Sequence, residues 1–452
     1  MSGPDATSAT ARLRVLVIGD GPLAEVARRE LEGAGTDTRS LEQPSDPEIR
    51  EAMEAGVDAV MVVSRDDRVA LRLALVIEAI RPGLRLIVTV YNRDLGGEIR
   101  RAVPGVRVLS MGDIVAPALA AACLGPDLFS VRRAGQRLEG IGPGGAAPLA
   151  TPLRVHRPHL GERVLANAIS LLHPFELSAK TLLAGLAGFA AIMLADSIVI
   201  GLALHDTVID AIYSATKTIV TVGPNTRIDS GPQWLKLYAS ISMLAALAFT
   251  GVFIAGLIDR LLDRRLVAIV GPRAMPRRGH VVVVGLGQVG LRLCMKLHEL
   301  GVPVVAVEVD PDADNIRRAR QYRIPVVIGR GSSRALLRRL SLERARALAA
   351  VTSDEIENIA AAVAGLAMQP SLRTVLRAGG GDVLDETRAL FAIGAVRDVY
   401  LIGGTLLAAA ALGSEAAGAF AADATLYVTL PDGSFEPAAL HIAQLADPSK
   451  AR

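Results

Sequence analysis

The sequence predicts three parts, namely two doubly wound α/β domains and, between them, an all-α module with two membrane-spanning helices. Short apolar runs alternate with helical stretches at 12–125 and again at 279–413, a pattern typical of parallel sheets covered by helices. Hydrophobic residues make up 51% of the 452 residues and are most concentrated between the two α/β regions. The net charge of +3 does not indicate a nucleic-acid partner.

The first α/β domain is predicted at 12–125. It begins with a buried strand at 13–18, which runs into a turn that contains glycine and then into a helix ending near Glu32. Later apolar runs of strand length lie at 57–63, 84–90 and 106–109. Helices are expected between them, so the strands should form a parallel sheet.

The second α/β domain, predicted at 279–413, resembles a longer copy of the first. A strand runs into a glycine-rich turn within 281–290, and further strands are expected at 304–310, 325–329 and 347–353. The sequence at 102–125 recurs at 392–413, and the sequence at 60–67 recurs at 348–355. The equivalent turn-to-strand stretch is shorter in the first copy, which therefore lacks about one helix and one strand.

The middle part, predicted at 177–262, contains two apolar segments long enough to cross a bilayer. They lie at about 181–204 and 237–258, and the alternative for each is a helix buried in a soluble core. Between them, 208–225 is predicted to be a short pore helix with a re-entrant loop. Arginines follow the second segment, so the positive-inside rule predicts that both flanking domains are cytoplasmic.

Two stretches carry weaker patterns. Residues 126–176 are predicted to be a linker, with 161–176 as either an interfacial helix or a soluble amphipathic one, and residues 414–452 are a C-terminal extension. Cys123 and Cys294 lie far apart in apolar stretches, so both are expected to be buried thiols. No histidine or cysteine pair has the spacing of a metal site.

The glycine-rich turn of the second domain is the strongest binding motif. Gly285, Gly287 and Gly290 follow a strand and open a helix. In such a turn the first glycine makes the tight bend, the second admits a pyrophosphate, and the third packs helix against strand. The alternative is a Rossmann fold kept only as a scaffold.

Other candidate residues follow the remaining strands of this domain. Glu308 ends the second strand at the spacing expected for an acid that binds ribose hydroxyls, which favours NAD or another adenine nucleotide. Arg330 either binds additional negative charge or faces solvent, and the polar residues after the fourth strand either line the site or cap a helix. The full set is Gly285, Gly287, Gln288, Val289, Gly290, Glu308, Asp310, Arg330, Thr352 and Asn358.

The first domain offers a weaker version of this turn. It keeps Gly19 and Gly21, but Pro22 lies inside the turn, and we expect no counterpart of Glu308 in the stretch 36–43. A nucleotide-free, structural domain is therefore predicted. Neither domain contains a nucleophile elbow or another recognisable catalytic arrangement, so we do not expect an enzyme.

The pentapeptide Thr221-Val222-Gly223-Pro224-Asn225 ends the short apolar stretch between the two spans. At this point the chain resembles the two-transmembrane potassium channels with regulator-of-conductance Rossmann domains (RCK, or KTN, of the TrkA-N type), whose filter carbonyls replace the water shell of the ion. The resemblance implies a homotetramer in the plasma membrane, potassium ions in the filter, lipid around the spans, and gating by a ligand of the cytoplasmic domains.

The leading hypothesis is accordingly a tetrameric cation channel of potassium type, gated by nucleotide binding to the second RCK-like domain. The alternative is a non-conducting membrane sensor or regulatory subunit built on a channel scaffold. Pro224 and Asn225 stand where the family has tyrosine and glycine, and Lys217 adds a positive charge to the pore helix. These departures concern ion selectivity more than architecture.

We predict weak potassium-over-sodium preference, or none, because Pro224 lacks the backbone N–H that could hold one carbonyl ring in place. Pro224→Tyr combined with Asn225→Gly should restore selectivity. The measurement is a planar-bilayer recording with potassium and sodium on opposite sides, and strong potassium preference in the unmodified protein would contradict the argument.

Overall fold

The computed structural model describes residues 12–91, 93–135, 137–145, 147–153, 177–219, 226–266, 269–270, 278–379 and 394–446. The chain divides into two compact units. One contains both α/β domains, at Met1–Arg157 and Val270–Arg452, and the other is Pro158–Ile269. The predicted interfacial helix at 161–176 and the filter residues 221–225 lie outside the described residues.

The first α/β domain has five strands, β1 (Arg14–Ile18), β2 (Asp37–Leu41), β3 (Ala59–Val62), β4 (Arg85–Val90) and β5 (Arg107–Ser110). Its helices are α1 (Pro22–Gly33), α2 (Asp46–Glu54), α3 (Asp67–Ile80), α4 (Arg93–Ala102) and α5 (Met111–Leu124). The strands are parallel, in the order β2-β1-β3-β4-β5. The sequence did not predict β2, because this edge strand is polar and lacks an apolar run.

Most described residues from 126 to 153 form regular structure, which corrects the prediction of a linker there. They form an antiparallel sheet of β6 (Ser130–Ala134), β7 (Arg137–Gly142) and β8 (Leu149–Pro152). Arg132 and Glu139 are paired across β6 and β7, and their side chains form an ion pair of 2.8 Å. The strands are short and largely polar on one face, so the sequence gave little sign of them.

The second unit is helical where it is described. It contains α6 (Leu177–Leu204), α7 (Val208–Ile219), α8 (Thr226–Asp229) and α9 (Gln233–Leu266). Two windows, Leu183–Leu204 and Gln233–Ile258, are long and apolar enough to cross a membrane, and only 17% of each is buried within the protein. That exposure is unlike the core helix of a soluble domain, most of whose apolar side chains are covered.

The two long helices of this unit pack through small residues. A Cβ on Gly185 would lie 2.6 Å from the backbone nitrogen of Phe253, and a Cβ on Gly188 would overlap the ring of Phe249. Close approach through small residues is common between membrane helices. Asp196 on α6 is 1% exposed and accepts hydrogen bonds from the Ser242 hydroxyl on α9 at 2.6 and 2.8 Å, so this acidic residue of the span has a polar partner.

The second α/β domain contains β10 (Val281–Val284), β11 (Val304–Glu308), β12 (Val326–Ile328), β13 (Ala347–Ala350), β14 (Arg373–Ala378) and β15 (Ala395–Asp398), with β9 (Ile269–Val270) at the edge of the sheet. Its helices are α10 (Gln288–Glu299), α11 (Asp314–Gln321), α12 (Arg334–Arg339), α13 (Glu355–Met368) and α14 (Val399–Ala411), with a 3₁₀ turn at Leu342–Arg344. The strand order is β15-β14-β13-β10-β11-β12-β9. The six strands from β10 to β15 therefore have the doubly wound Rossmann order.

The two sheets differ at one position. The first sheet repeats the order of the second, but the part of it that is described has no counterpart of β12. This is the shortening that the sequence predicts for the first copy, about one strand and one helix. The crevice of the first domain therefore has a shorter wall on the side of β2.

The C-terminal extension forms a second small sheet followed by a helix. Its elements are β16 (Gly418–Ala422), β17 (Thr425–Thr429), β18 (Phe435–Pro437) and α15 (Ala438–Ala446). The two small sheets are joined by Arg132, whose guanidinium donates to the Gly433 carbonyl at 2.6 Å and lies over the Phe435 ring. Each α/β domain is thus followed by a three-stranded antiparallel sheet, and the internal repeat extends beyond the α/β domains.

The two α/β domains pack by a reciprocal contact of helices. The first helix of each domain packs on the last helix of the other, α1 on α14 and α10 on α5. Small residues allow the close approach, since a Cβ on Gly404 would lie 2.5 Å from Val26 and a Cβ on Gly112 would lie 2.6 Å from Arg292. Such reciprocity is the mark of a two-fold, isologous interface, formed here within one chain.

One hydrophobic core runs through both domains as a result. Cys123 on α5 and Cys294 on α10 are both free and fully buried in this core, as the sequence predicts. Burial raises the pKa of the Cys123 thiol to about 12 and also raises that of Cys294. Both cysteines are therefore unreactive core residues.

Arg107 offers a test of the contact between the first domain and the C-terminal part. Its guanidinium donates to the carbonyls of Ser414 and Ala416. Arg107→Ala leaves these carbonyls without their donor, and we expect a loss of about 1–3 kcal/mol in the free energy of unfolding. The exposed Arg101, changed to alanine, is the control and should cost less than about 0.5 kcal/mol. The measurement is denaturant unfolding in detergent, and equal stability of the two variants would contradict the assigned role.

Candidate functional site

The three glycines of the turn between β10 and α10 have different physical reasons to be glycine. Gly285 has a φ of 90°, and a Cβ there would lie 2.7 Å from the side chain of Thr352. A Cβ on Gly290 would overlap the carbonyl oxygen of Gly285. Gly287, by contrast, has an ordinary φ of −65°, and no atom lies within 4 Å of the position of its Cβ. The fold therefore requires Gly285 and Gly290, whereas Gly287 keeps open the space in which a pyrophosphate would lie.

Glu308 lies at the end of β11 beside this turn. One carboxylate oxygen accepts a hydrogen bond from the Leu286 N–H at 2.8 Å, and the other accepts from the N–H groups of Val309 at 2.8 Å and Asp310 at 3.2 Å. The Glu308 side chain thus holds the glycine-rich turn in place through its hydrogen bond with the Leu286 N–H. The oxygen that accepts only from the Leu286 N–H keeps a second lone pair, so Glu308 can also accept from a ribose hydroxyl.

Asn358 does not line the cavity; its hydrogen bonds hold the backbone around it in place. It is fully buried, and its amide oxygen accepts from the backbone N–H and the hydroxyl of Thr352, at 2.9 and 2.8 Å. Its amide nitrogen donates to the carbonyls of Thr352 and Arg377, at 3.2 and 3.3 Å. Asn358 therefore holds the ends of β13 and β14 together and fixes Thr352 against the turn.

The remaining polar candidates are divided between capping and lining. Asp354 accepts from the N–H groups of Ile356 and Glu357 at the start of α13, at 2.9 and 3.3 Å, and also lines the cavity described below. Arg330 lies 3.8 Å from Glu357, with 72% of its side chain exposed. An ion pair this long and exposed contributes little to stability, so Arg330 remains available to a ligand.

A cavity of about 1110 Å³ lies along the carboxyl ends of the strands of the second domain. Of the residues predicted from the sequence, Gly285, Gly287, Gln288, Val289, Glu308, Arg330 and Thr352 line it, whereas Gly290, Asp310 and Asn358 do not. The cavity extends from Arg330 after β12, past the glycine-rich turn, to Arg377 on β14 and Tyr400 on α14. Its volume is slightly above the usual range of small-molecule sites.

The first domain forms the opposite wall of this cavity, which the sequence did not predict. We call these residues the first-domain wall: Arg65, Asp66, Asp67, Arg68, Tyr91, Leu95 and Met111. Burial raises the pKa of the Tyr91 hydroxyl, and the nearby Tyr400 raises it further, partly offset by the cations Arg65 and Arg377. Tyr91 is therefore largely removed from solvent, close to groups of both domains. No motif in the first domain indicates this wall, because it depends on how the domains pack.

A second, smaller cavity lies beside the turn of the first domain. A cavity of about 250 Å³ is lined by Pro22 and Arg65 from the first domain, together with residues at the ends of β13 and β14. A Cβ on Gly21, which corresponds to Gly287, would lie 3.4 Å from the guanidinium of Arg65. The position over Gly287 is therefore open, whereas the corresponding position over Gly21 has the Arg65 side chain beside it.

One expectation about the first domain was wrong. The Gly19 N–H donates to the carbonyl of Leu41 just as the Gly285 N–H donates to that of Val307, so Glu42 occupies the position equivalent to Glu308. An acid is present there after all. It is exposed, and within the described residues it makes no hydrogen bond to the turn. The approach of Arg65 to Gly21, rather than a missing acid, distinguishes the two turns.

Comparison with known proteins agrees with this architecture. Residues 281–394 match the family model described as the TrkA-N domain. The chain is 24% identical over 217 residues to Potassium channel protein 1 of Methanocaldococcus jannaschii, an alignment that covers 45% of this chain and 62% of that relative. It is also 28% identical over 139 residues to the K(+) efflux antiporter 2 of Arabidopsis thaliana, covering 31% of this chain and 12% of that protein.

Two solved structures are similar over most of the chain. The crystal structure of the GsuK RCK domain has a TM-score of 0.48 and 15% identity, and covers 89% of this chain and 77% of that one. The GsuK channel bound to NAD has a TM-score of 0.47 and 15% identity, and covers 88% and 63%. The resemblance to potassium channels with RCK-type Rossmann domains, drawn above from the sequence, is confirmed by the TrkA-N match and the archaeal relative.

The different roles of the glycines give a matched pair of variants. Gly287→Val places a side chain in open space at an ordinary φ, so we expect the thermal unfolding midpoint to stay within about 2 °C, while nucleotide affinity is lost. Gly290→Ala forces a Cβ into the Gly285 carbonyl and should destabilise the domain by about 1–3 kcal/mol. Calorimetric melting together with titration of NAD measures both. Nucleotide binding that survives Gly287→Val unchanged would contradict a site at this turn.

Proposed function

We propose that the chain is a subunit of a homotetrameric cation channel of potassium type, gated by an adenine nucleotide bound to the second α/β domain. In this proposal residues 221–225 form the ion filter, the spans lie in the plasma membrane, and both α/β domains are cytoplasmic. The observation that carries the ligand half is the open space over Gly287 beside Glu308, in a segment that matches the TrkA-N domain.

The residues of the crevice suit such a nucleotide. The start of α10 presents free backbone N–H groups to a phosphate, Gly287 leaves room for it, and Glu308 lies where ribose hydroxyls are bound in this fold. Arg330 adds a cation on the far side of Glu308. One similar structure is named as bound to NAD and another as bound to ADP, so these two compounds are the first ligands to test.

The channel half of the proposal is supported by the second unit and by the archaeal relative. The two spanning candidates expose most of their apolar surface, and the short helix α7 packs beside them through Ala215, against Ile200 and Ala239. The relative in Methanocaldococcus jannaschii is named a potassium channel protein. The substitutions Pro224 and Asn225 in the filter favour the alternative, a membrane sensor that does not conduct.

Potassium flux from liposomes that contain the purified protein tests the proposal. We expect flux that NAD or ADP changes by roughly 5- to 150-fold, the usual range of allosteric coupling. Gly287→Val should conduct but lose the response to nucleotide, which separates the pore from the ligand site. Native mass spectrometry should give four chains per particle. Nucleotide binding without flux of any cation would favour the non-conducting sensor.

The number of sites per chain tests the difference between the two domains. We expect calorimetry to give one nucleotide per chain, because Arg65 lies over Gly21 and the described part of the first sheet has no counterpart of β12. Glu308→Ala is a less direct test than Gly287→Val, since it also removes the acceptor of the Leu286 N–H. Two nucleotides per chain would show that Glu42 and the first turn form a second site.

A further inference from the structure

The cavity of the second domain is longer than the part of it that the glycine-rich turn and Glu308 account for. In the sheet, β11 and β12 lie on one side of β10, and β13 and β14 lie on the other. Glu308 and Arg330 follow the strands of the first side, whereas Thr352, Arg377 and Tyr400 belong to the second side. A nucleotide with its ribose at Glu308 and its phosphate at Gly287 therefore leaves the second side of the cavity empty.

Arg65 of the first-domain wall lies on this second side. It lines the large cavity and also the small one, whose other residues come mostly from the ends of β13 and β14, namely Thr352, Ser353, Arg377, Ala378 and Gly379. Neither Glu308 nor Arg330 is among the residues of the small cavity. Arg65 is therefore placed at the end of the crevice away from the ribose-binding acid.

The guanidinium of Arg65 is not neutralised by its own domain. Among the described residues it makes no hydrogen bond or ion pair. The two acids that follow it in the chain have other partners: Asp66 accepts from the Arg68 N–H at 2.8 Å, and Asp67 accepts from the Tyr91 N–H at 2.8 Å. A cation that faces a cavity in this way favours an anionic group of the ligand.

The same end of the cavity has an aromatic surface. Arg377 lies 5.8 Å from the centre of the Tyr400 ring, and its guanidinium donates to the Tyr400 hydroxyl at 3.4 Å. Tyr91 reaches this region from the first domain, since it lines the same cavity as Arg377 and Tyr400. Tyrosine rings and a stacked guanidinium form a surface that suits a planar heterocycle.

We propose that the ligand is a dinucleotide whose second half lies between β13–β14 and the first-domain wall, with Arg65 bound to its second phosphate. This rests on the proposed nucleotide site at Gly287 and Glu308, and it gives the first domain a direct part in ligand recognition. The first half binds to the second domain alone, whereas the second half contacts both domains. A nucleoside monophosphate, which has no second phosphate, would then occupy the site without touching Arg65.

The test compares NAD with AMP, which has only the adenosine half and one phosphate. For Arg65→Ala we expect a loss of roughly ten- to a hundredfold in NAD affinity, the effect of removing a charged hydrogen bond, and a change of less than about twofold in AMP affinity. Arg65→Lys should recover part of the loss for NAD. Isothermal titration calorimetry of the full-length protein in detergent gives both affinities.

Arg72→Ala is the matched control. Arg72 is an exposed arginine of the same domain, paired with Asp46 at 2.7 Å, and it does not line the cavity. The variant should bind both ligands as the unmodified protein does. Since Arg65 is itself exposed, its removal should leave the melting temperature unchanged, which excludes misfolding as the cause of weaker binding.

Each result has a distinct meaning. If Arg65→Ala leaves NAD affinity unchanged while Gly287→Val abolishes it, the contact with the first-domain wall is wrong and the nucleotide site stands. If Arg65→Ala weakens NAD and AMP equally, Arg65 acts on the first half of the ligand and the dinucleotide assignment is wrong. If the unmodified protein binds neither compound, the proposed nucleotide function itself fails.

Discussion

The reciprocal packing of helices between the two α/β domains is the contact on which the rest of the cytoplasmic structure depends. Helix α1 packs on α14 on one side, and α5 packs on α10 on the other, so each pair joins the two domains. The contact needs small residues such as Gly112 and Gly404, where any side chain would overlap the facing helix. Because the apolar helices of each domain are buried by the other, the two domains share one core despite their separation in sequence.

The same packing explains how two similar domains come to differ in their crevices. In a two-fold arrangement each crevice faces the other domain, so a change in one copy alters the surroundings of both. The first sheet has no counterpart of β12 in its described part, and Arg65 lies over its turn. The second crevice has the longer sheet and gains a wall from the first domain. The shorter copy therefore lines part of the crevice of the longer one.

The sequence was sufficient for features that depend on neighbouring residues. The central strands, the glycine-rich turn, the two long apolar helices and the shortened first copy were all predicted, because each has a local pattern of apolar residues or glycine. The polar edge strand β2 and the small sheet at 130–152 have no such pattern and were missed. Glu42 was overlooked because its equivalence to Glu308 follows from the register of β1 and β2, which the sequence shows less clearly than the strands themselves.

The first-domain wall could not be predicted for a different reason, since its residues meet the second domain only through the fold. A count of formal charges also gives a misleading picture of the electrostatic potential in the cavity. By that count the cavity has at least as many acids as arginines along its walls.

The acids are largely occupied by the backbone: Asp66 and Asp354 accept from N–H groups at helix starts, and Glu308 holds the turn. A carboxylate bound to N–H groups presents much less negative field than a free one, because the N–H dipoles oppose its charge. Arg65 has no such partner among the described residues, and Arg330 has only a long, exposed one. The effective charge of the cavity is therefore more positive than the count of its acids and arginines suggests. A ligand with two phosphates requires such a positive environment.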